Sequence, residues 1–241
     1  MKHQWFAALA LALMAVAFAR AQRGAAPPTD LPPVDAVEML KTVKPDLNRR
    51  LAQFKPVKMP FDTSRLSAGE RQMIDQLVIA SRELESMFWR QSDPAGLALY
   101  HALASNQTPL ARDVRHYLFI NGSRWDLVHE NEPFIGTMPM PPGHFLYPVD
   151  LTRAAADAYV AAHPDRKAAI YHPYTVVRRN GADLVGRPYH DEYSPFVKAA
   201  AEALRKAASL SPDPAFARFL GCAPTRSSQT TTMRATSPGS I

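Results

Sequence analysis

The sequence predicts a helix-rich α+β protein: amphipathic helices with a small irregular β-hairpin region. Three observations carry that prediction. A capping box, Ser67 with Glu70, opens a long apolar-periodic run. Prolines one residue after Asp93, Ser194 and Asp213 mark helix starts, and Asn180-Gly181 separates two β-rich segments. With 241 residues, 46% of them hydrophobic, the chain can bury one good core or two small ones, and one α+β domain is the default expectation.

Taken in order, Pro27, Pro28, Pro32 and Pro33 give residues 22–35 the character of an extended leader. Short helices are expected over Val37–Leu40 and Leu47–Phe54, and sustained order from Ser67. In "LSAGERQMIDQLVIASRELESMFWRQ", Met73, Ile74, Leu77, Val78, Leu84, Met87 and Phe88 recur at spacings of three and four, which predicts one buried helix face. Asp93-Pro94 predicts an N-cap and a helix over 94–105, and a shorter helix is expected from Pro109 to His116. Residues 117–147, rich in aromatics, prolines and glycines, read as irregular strands and long loops. A helix over Thr152–Ala162 follows, then a hairpin of Tyr174–Arg179 with Leu184–Tyr189. Ser194 is expected to cap the next helix, whose Phe196, Val197, Ala200, Leu204 and Ala208 keep helical period. Asp213-Pro214 opens a last one through Phe216, Phe219 and Leu220, with no apolar continuation.

The ends carry most of the charge imbalance. Lys2 and His3, the apolar run Trp5–Phe18 and the small-x-small triplet Ala19-Arg20-Ala21 read as an export signal cleaved after Ala21. The run is too short to anchor in a membrane, and no cysteine follows it for lipidation, so a periplasmic or secreted product is expected. The formal net charge of +6 falls to 26 basic against 22 acidic residues without Lys2 and Arg20, and to 24 against 22 without Arg226 and Arg234 as well. The body is therefore nearly neutral, and no basic stripe argues for nucleic acid. Cys222 stands alone, so no disulfide and no thiolate metal site is expected.

Chemistry-bearing motifs are sparse. Zinc hydrolases place two His one helical turn apart with a Glu between them. None of the eight His has that spacing: His129-Glu130 runs into Asn131, Glu132 and Pro133, and His190, Asp191 and Glu192 are consecutive, which splays them if extended. There is no G-x-S-x-G elbow, no base adjacent to Cys222 and no Gly-rich phosphate loop. Trp125, Asp126, Asn131 and Phe134, with Pro141-Pro142-Gly143, have the residue types to line a ligand groove, and equally those of core aromatics and turn caps. No catalytic and no metal residue is assigned, and the substrate-binding residues stay unassigned.

The order of elements nevertheless resembles a family. "LSAGERQMIDQLVIASRELESMFWRQ", "WDLVHENEPFIG", "PPGHFLYPVDLT", "YTVVRR" and "PYHDEYSPFVKAAAEALRKAASLSPDPAFARFL" are similar, over residues 60–220, to the N-terminal half of bacterial proteins related to dipeptidyl-peptidase III, a zinc-dependent exopeptidase family. The resemblance implies the front part of that fold. It also implies that the zinc helix, the further Glu ligand and the catalytic Tyr element lie later in family members, so zinc is expected for the intact relative and not for this chain.

Family members continue the last helix with leucines and an acidic, tyrosine-bearing stretch, whereas this chain ends "GCAPTRSSQTTTMRATSPGSI". Read one frame over, Gly221-Cys222 permits Leu, Cys222-Ala223 permits Arg, and Met233-Arg234 forces Ala where the arginine codon begins CG. Suitable third bases allow LRADALLADDYYASDLAWID. A frameshift after about Leu220 is thus expected, with a disordered Ser/Thr/Pro-rich end as the alternative. The resulting organisation is a signal peptide at 1–21, a leader with short helices at 22–59, a partial metallohydrolase-like α+β domain at 60–220 and an aberrant or disordered tail at 221–241. Expected partners are a peptide substrate in the intact relative and a separately encoded C-terminal half. A self-sufficient periplasmic module binding a peptide or small ligand through residues 117–147 is the competing reading.

Overall fold

The computed structural model describes residues 30–228, with side chains through Cys222. The expected signal at 1–21 and residues 229–241 lie outside the described residues. The described chain is helix-rich α+β, with two small antiparallel sheets. It clusters into two compact units: one runs through Lys55 and again over Asp93–Met140, the other covers Pro56–Ser92 and the chain from Pro141 on. Among the described residues no helix is long and apolar enough to cross a membrane.

The first unit contains α1 (Ala36–Lys41), α2 (Leu47–Leu51), α4 (Pro94–Ala102), α5 (Pro109–Asn121) and the two-residue strands β1 (Trp125–Asp126) and β2 (Glu132–Pro133). Asp35 caps α1 by accepting from the amides of Val37 and Glu38. Thr108 caps α5, and Pro109 costs nothing at the first helical turn, where amides lack helical partners anyway. The expected stop at His116 is corrected: α5 runs five residues further, to Asn121. It ends where Gly122 turns left-handed at φ 64° and its amide reaches Leu118 O. Residues 117–121 therefore continue the helix, and Tyr117 and Leu118 enter the core with Leu99, Leu103, Val114, Trp125 and Phe134.

The second unit is built on α3 (Ala68–Ser92) and α9 (Ser194–Leu210), which pack along their lengths, with α10 (Pro214–Ser228) on α9. The capping box forms in both directions: Ser67 N–H donates to Glu70 Oε2 at 2.8 Å, and Glu70 N–H donates to Ser67 Oγ at 3.2 Å. Ser67→Ala is expected to cost about 1 kcal/mol, read as a lower urea midpoint with unchanged slope; an unchanged midpoint would show the box to be ornamental. Ala80 packs on Ala200 and Ala203, and Met87 packs with Val176 and Tyr193. The expected single buried face on α3 is corrected. Val78, Leu84 and Phe88 point to solvent, the last two 54% exposed, because α9 covers only the stripe through Ala80 and Met87.

Residues 153–188 form α6 (Arg153–Ala162), a 3-10 turn (Pro164–Arg166), α7 (Lys167–Ile170) and a hairpin of β3 (Thr175–Asn180) with β4 (Asp183–Pro188). Thr152 caps α6 through Ala155 N–H. The hairpin pairs Asn180 with Asp183, which makes Gly181 the first central turn residue, at φ 61°. Positive φ at that position matches the twist of a tight hairpin. Neighbouring strand residues face opposite sides: Val177 joins Val160, Ile170 and Leu184, whereas Val176 joins Met87 and Tyr193.

Residues 189–192 form a helical turn, α8 (Tyr189–Glu192), so the splayed geometry of an extended segment does not apply. Two further expectations are corrected. Ser194 does not cap α9, because Val197 N–H bonds back to Tyr193 O and continues the spiral from α8. And α10 does not stop near Leu220. Its backbone helix continues to Ser228.

Candidate functional site

The turn between β1 and β2 holds the sequence-predicted candidates. Asp126 has no exposed surface and is surrounded by donors. Its Oδ2 accepts from Arg50 Nη1 at 2.6 Å and from the Tyr117 hydroxyl at 2.7 Å, and lies 2.9 Å from His129 Nδ1. Its Oδ1 accepts from the amides of Val128 and His129 at 3.1 and 3.2 Å. On its other side the His129 ring places Nε2 3.4 Å from Gln53 Nε2. Arg50, itself buried, also reaches Asp46 at 3.1 Å and Glu132 at 3.3 Å.

Burial works to raise the Asp126 carboxyl, but the bonds from Arg50, Tyr117, His129 and the Val128 amide outweigh it and hold the group down at about 2. Burial and the Asp126 carboxylate together push the Tyr117 hydroxyl well above its ordinary range, so it stays a donor. A carboxylate this acidic, with both oxygens occupied, is a poor general base at neutral pH and has no lone pair facing solvent. Its chemistry is that of a lock joining α2, α5 and the β1–β2 turn.

The other candidates serve the same local structure. Trp125 and Phe134 are fully buried, with Trp125 Nε1 donating to Met138 O at 2.9 Å and Phe134 packed edge-on to Tyr117 at 4.8 Å. Glu130 and Asn131 both take positive φ, 54° and 60°, and the Asn131 amide closes the turn onto Asp126 O. No helix runs through His129-Glu130. Pro141, Pro142 and Gly143 fall in the other unit. Asp93 stands at the N-cap of α4 with Pro94 next, as expected, but its side chain is engaged elsewhere. Its buried carboxylate receives Arg124 through Nε at 2.8 Å, Nη2 at 2.9 Å and the backbone amide at 2.9 Å, with no side-chain cap on α4. In the second unit Glu192 of "YHDEY" binds Arg178 at 2.8 Å and Arg187 at 3.1 Å.

Sequence reasoning missed a cavity of about 600 Å³ in the second unit, lined by Pro142, Gly143, Tyr147, Leu151, Asp157 and Tyr171. These residues have no spacing that signals a site. Two of its polar groups are turned on the chain itself: the Tyr171 hydroxyl donates to Asp157, and the Tyr147 hydroxyl to Ile170 O at 3.4 Å. Among the described residues no three His, Cys, Asp or Glu side chains converge as metal ligands would. The clusters that do gather acids are filled by arginine, so the described residues do not fit a zinc ion.

Solved structures place this architecture. The chain superposes on DPP III of Caldithrix abyssi with a TM-score of 0.71 at 29% identity, covering 75% of this chain and 34% of that one. Dipeptidyl-peptidase III of Corallococcus sp. strain EGB gives 0.69 at 30% identity, with 76% and 35% covered. The fold is dipeptidyl-peptidase III-like. Nudix hydrolase 3 of Arabidopsis thaliana is 24% identical over 72% of this chain and 29% of its own length. No family model matches the chain. The chain thus spans about a third of the length of the solved dipeptidyl-peptidase III structures it matches, and less of the plant protein.

Proposed function

We propose that this chain is the front part of a dipeptidyl-peptidase III-like, zinc-dependent peptide hydrolase, exported with cleavage near Ala21 and inactive as a peptidase by itself. The observation that carries the proposal is the match to two dipeptidyl-peptidase III structures at 29 and 30% identity over three quarters of the chain. A second support is chemical: the buried carboxylates of Asp126 and Asp93 and the half-buried one of Glu192 are each occupied by an arginine, so none of the three serves an ion or a reacting water. No hydrolytic step is therefore assigned to these residues. Zinc and peptide binding belong to a C-terminal half, encoded beyond the displaced frame that begins near Leu220 or as a separate chain.

Calorimetric titration of the mature chain with zinc is expected to show no stoichiometric tight binding, and a dipeptidyl chromogenic substrate no turnover above buffer. Tight binding of one zinc, or dipeptide release by the purified chain, contradicts the proposal. Sequencing the DNA past codon 220 tests the frame. A hydrolase-like remainder with a His-Glu-x-x-His helix is expected there, and an uninterrupted gene ending at Ile241 with nothing similar behind it would remove the reading.

A further inference from the structure

A second cavity, of about 340 Å³, lies in the first unit between the end of α4, the following loop and one face of α5. Its size is at the lower end of small-ligand pockets. Arg112, Arg115, His116 and Phe119 stand at spacings of three and four along α5 and so share that face, opposite Tyr100 and Asn106. No acidic residue lines the cavity, although the body of the chain carries almost as many acids as bases.

The Arg115 guanidinium is held in place: Nε donates to Tyr100 O at 3.2 Å, and its carbon lies 4.3 Å from the centre of the Tyr100 ring. Tyr100 and Phe119 are stacked at 6.4 Å with 29° between their planes, and Phe119 is 56% exposed. Asn106 spends its carbonyl on the Thr108 amide and hydroxyl, which leaves its amide N–H₂ as a donor. Arg112 makes no ion pair among the described residues, unlike Arg50, Arg124 and Arg178. A structural arginine comes with its acid; this pair of arginines comes with an aromatic wall.

We propose that this cavity binds a small aromatic anion. A carboxylate or phosphate would accept from Arg112, Arg115 and the Asn106 amide, and a planar ring attached to it would lie against Phe119 and Tyr100. The site is independent of the peptidase-like reading, since it lies wholly in the first unit and uses none of the arginines locked to acids.

The test is titration of the full mature chain with phenyl phosphate, benzoate, inorganic phosphate and benzyl alcohol, followed by two-dimensional NMR of backbone amides in residues 100–120. Phenyl phosphate or benzoate is expected to saturate with Kd below about 1 mM, at least about tenfold tighter than inorganic phosphate or benzyl alcohol alone. Whichever of the two binds tighter identifies the anion. Arg112→Gln, exposed and unbonded in the fold, is expected to weaken binding about tenfold while leaving the spectrum of the free protein otherwise unchanged. Arg115→Gln is less informative because it also removes a brace on Tyr100. Absence of saturable shifts with both aromatic anions, or unchanged affinity in Arg112→Gln, overturns the proposal; equal binding of inorganic phosphate and phenyl phosphate removes the ring from it.

Discussion

Asp126→Ala is expected to lower folding stability by about 3–5 kcal/mol, the range for leaving one partner of a buried ion pair without the other. The substitution strands Arg50, whose side chain is 7% exposed, with only the outlying carboxylates of Asp46 and Glu132 to neutralise it. It also orphans the Tyr117 hydroxyl inside the core and frees the amides that shape the β1–β2 turn. Urea unfolding followed by fluorescence would read the loss, with Trp125 buried in the same unit. A loss below about 1 kcal/mol, the value of an exposed ion pair, would mean that Asp46 and Glu132 suffice for Arg50. Adding Arg50→Met to Asp126→Ala is expected to recover part of the loss, because the double change removes the buried charge along with its missing partner.

The same lock sets the acid limb of stability. The folded Asp126 carboxyl sits at about 2, below the ordinary value of 3.8. A depressed carboxylate stabilises the fold above its unfolded value, and that contribution disappears as pH falls from near 5 toward 2. The part due to Asp126 is about 2 kcal/mol at neutral pH. Asp46, lowered by Arg49 and Arg50, and Asp150, lowered by Arg179, add to the limb in the same direction. Stability measured from pH 7 to pH 2 should therefore fall, and Asp126→Asn should flatten the fall. An acid limb of undiminished slope in that variant would show that Asp126 does not carry it.

Gly186→Ala is expected to cost about 3 kcal/mol, at the upper end of overpacking losses, although alanine is ordinarily the better strand residue by up to about 1 kcal/mol. A Cβ at position 186 would lie 2.5 Å from Ala169 O and 2.8 Å from its carbonyl carbon. Both are main-chain atoms of α7, which cannot rotate aside as a flexible side chain would. The α7 backbone also positions Ile170, fully buried with Val160, Val177 and Leu184, so any shift is transmitted to that core. Thermal or urea unfolding of the variant checks this. A stability equal to or above that of the parent would mean that β4 and α7 can separate enough to admit the Cβ without loss.

The helix boundaries and the site were legible to different depths. The capping box at Ser67 and the helix start at Asp213 can be read from residues two or three apart, and each forms as read. The missing side-chain caps at the start of α9 and at Asp93 share a cause. In each case a nearby or distant partner took the role that the local motif offered: the turn of α8 in one, and Arg124, 31 residues away, in the other. Asp126 was a visible candidate, but its partner Arg50 lies 76 residues back, and no spacing rule reaches that far. The arginine face of α5 has a clear three-and-four spacing in the sequence, yet only its neighbours decide whether acids or a cavity lie opposite.

By itself the sequence determined the helix-rich α+β class, the hairpin, the helix starts and the order of elements that matches the dipeptidyl-peptidase III fold. Those depend on bonds and periodicities spanning a few residues, which survive in any context. Only the tertiary structure decided which half of the α3 stripe is covered, which carboxylates are locked by arginine and which arginines remain unpaired around a cavity. Such outcomes depend on groups tens of residues apart in the chain, and burial and charge pairing are properties of that assembled neighbourhood.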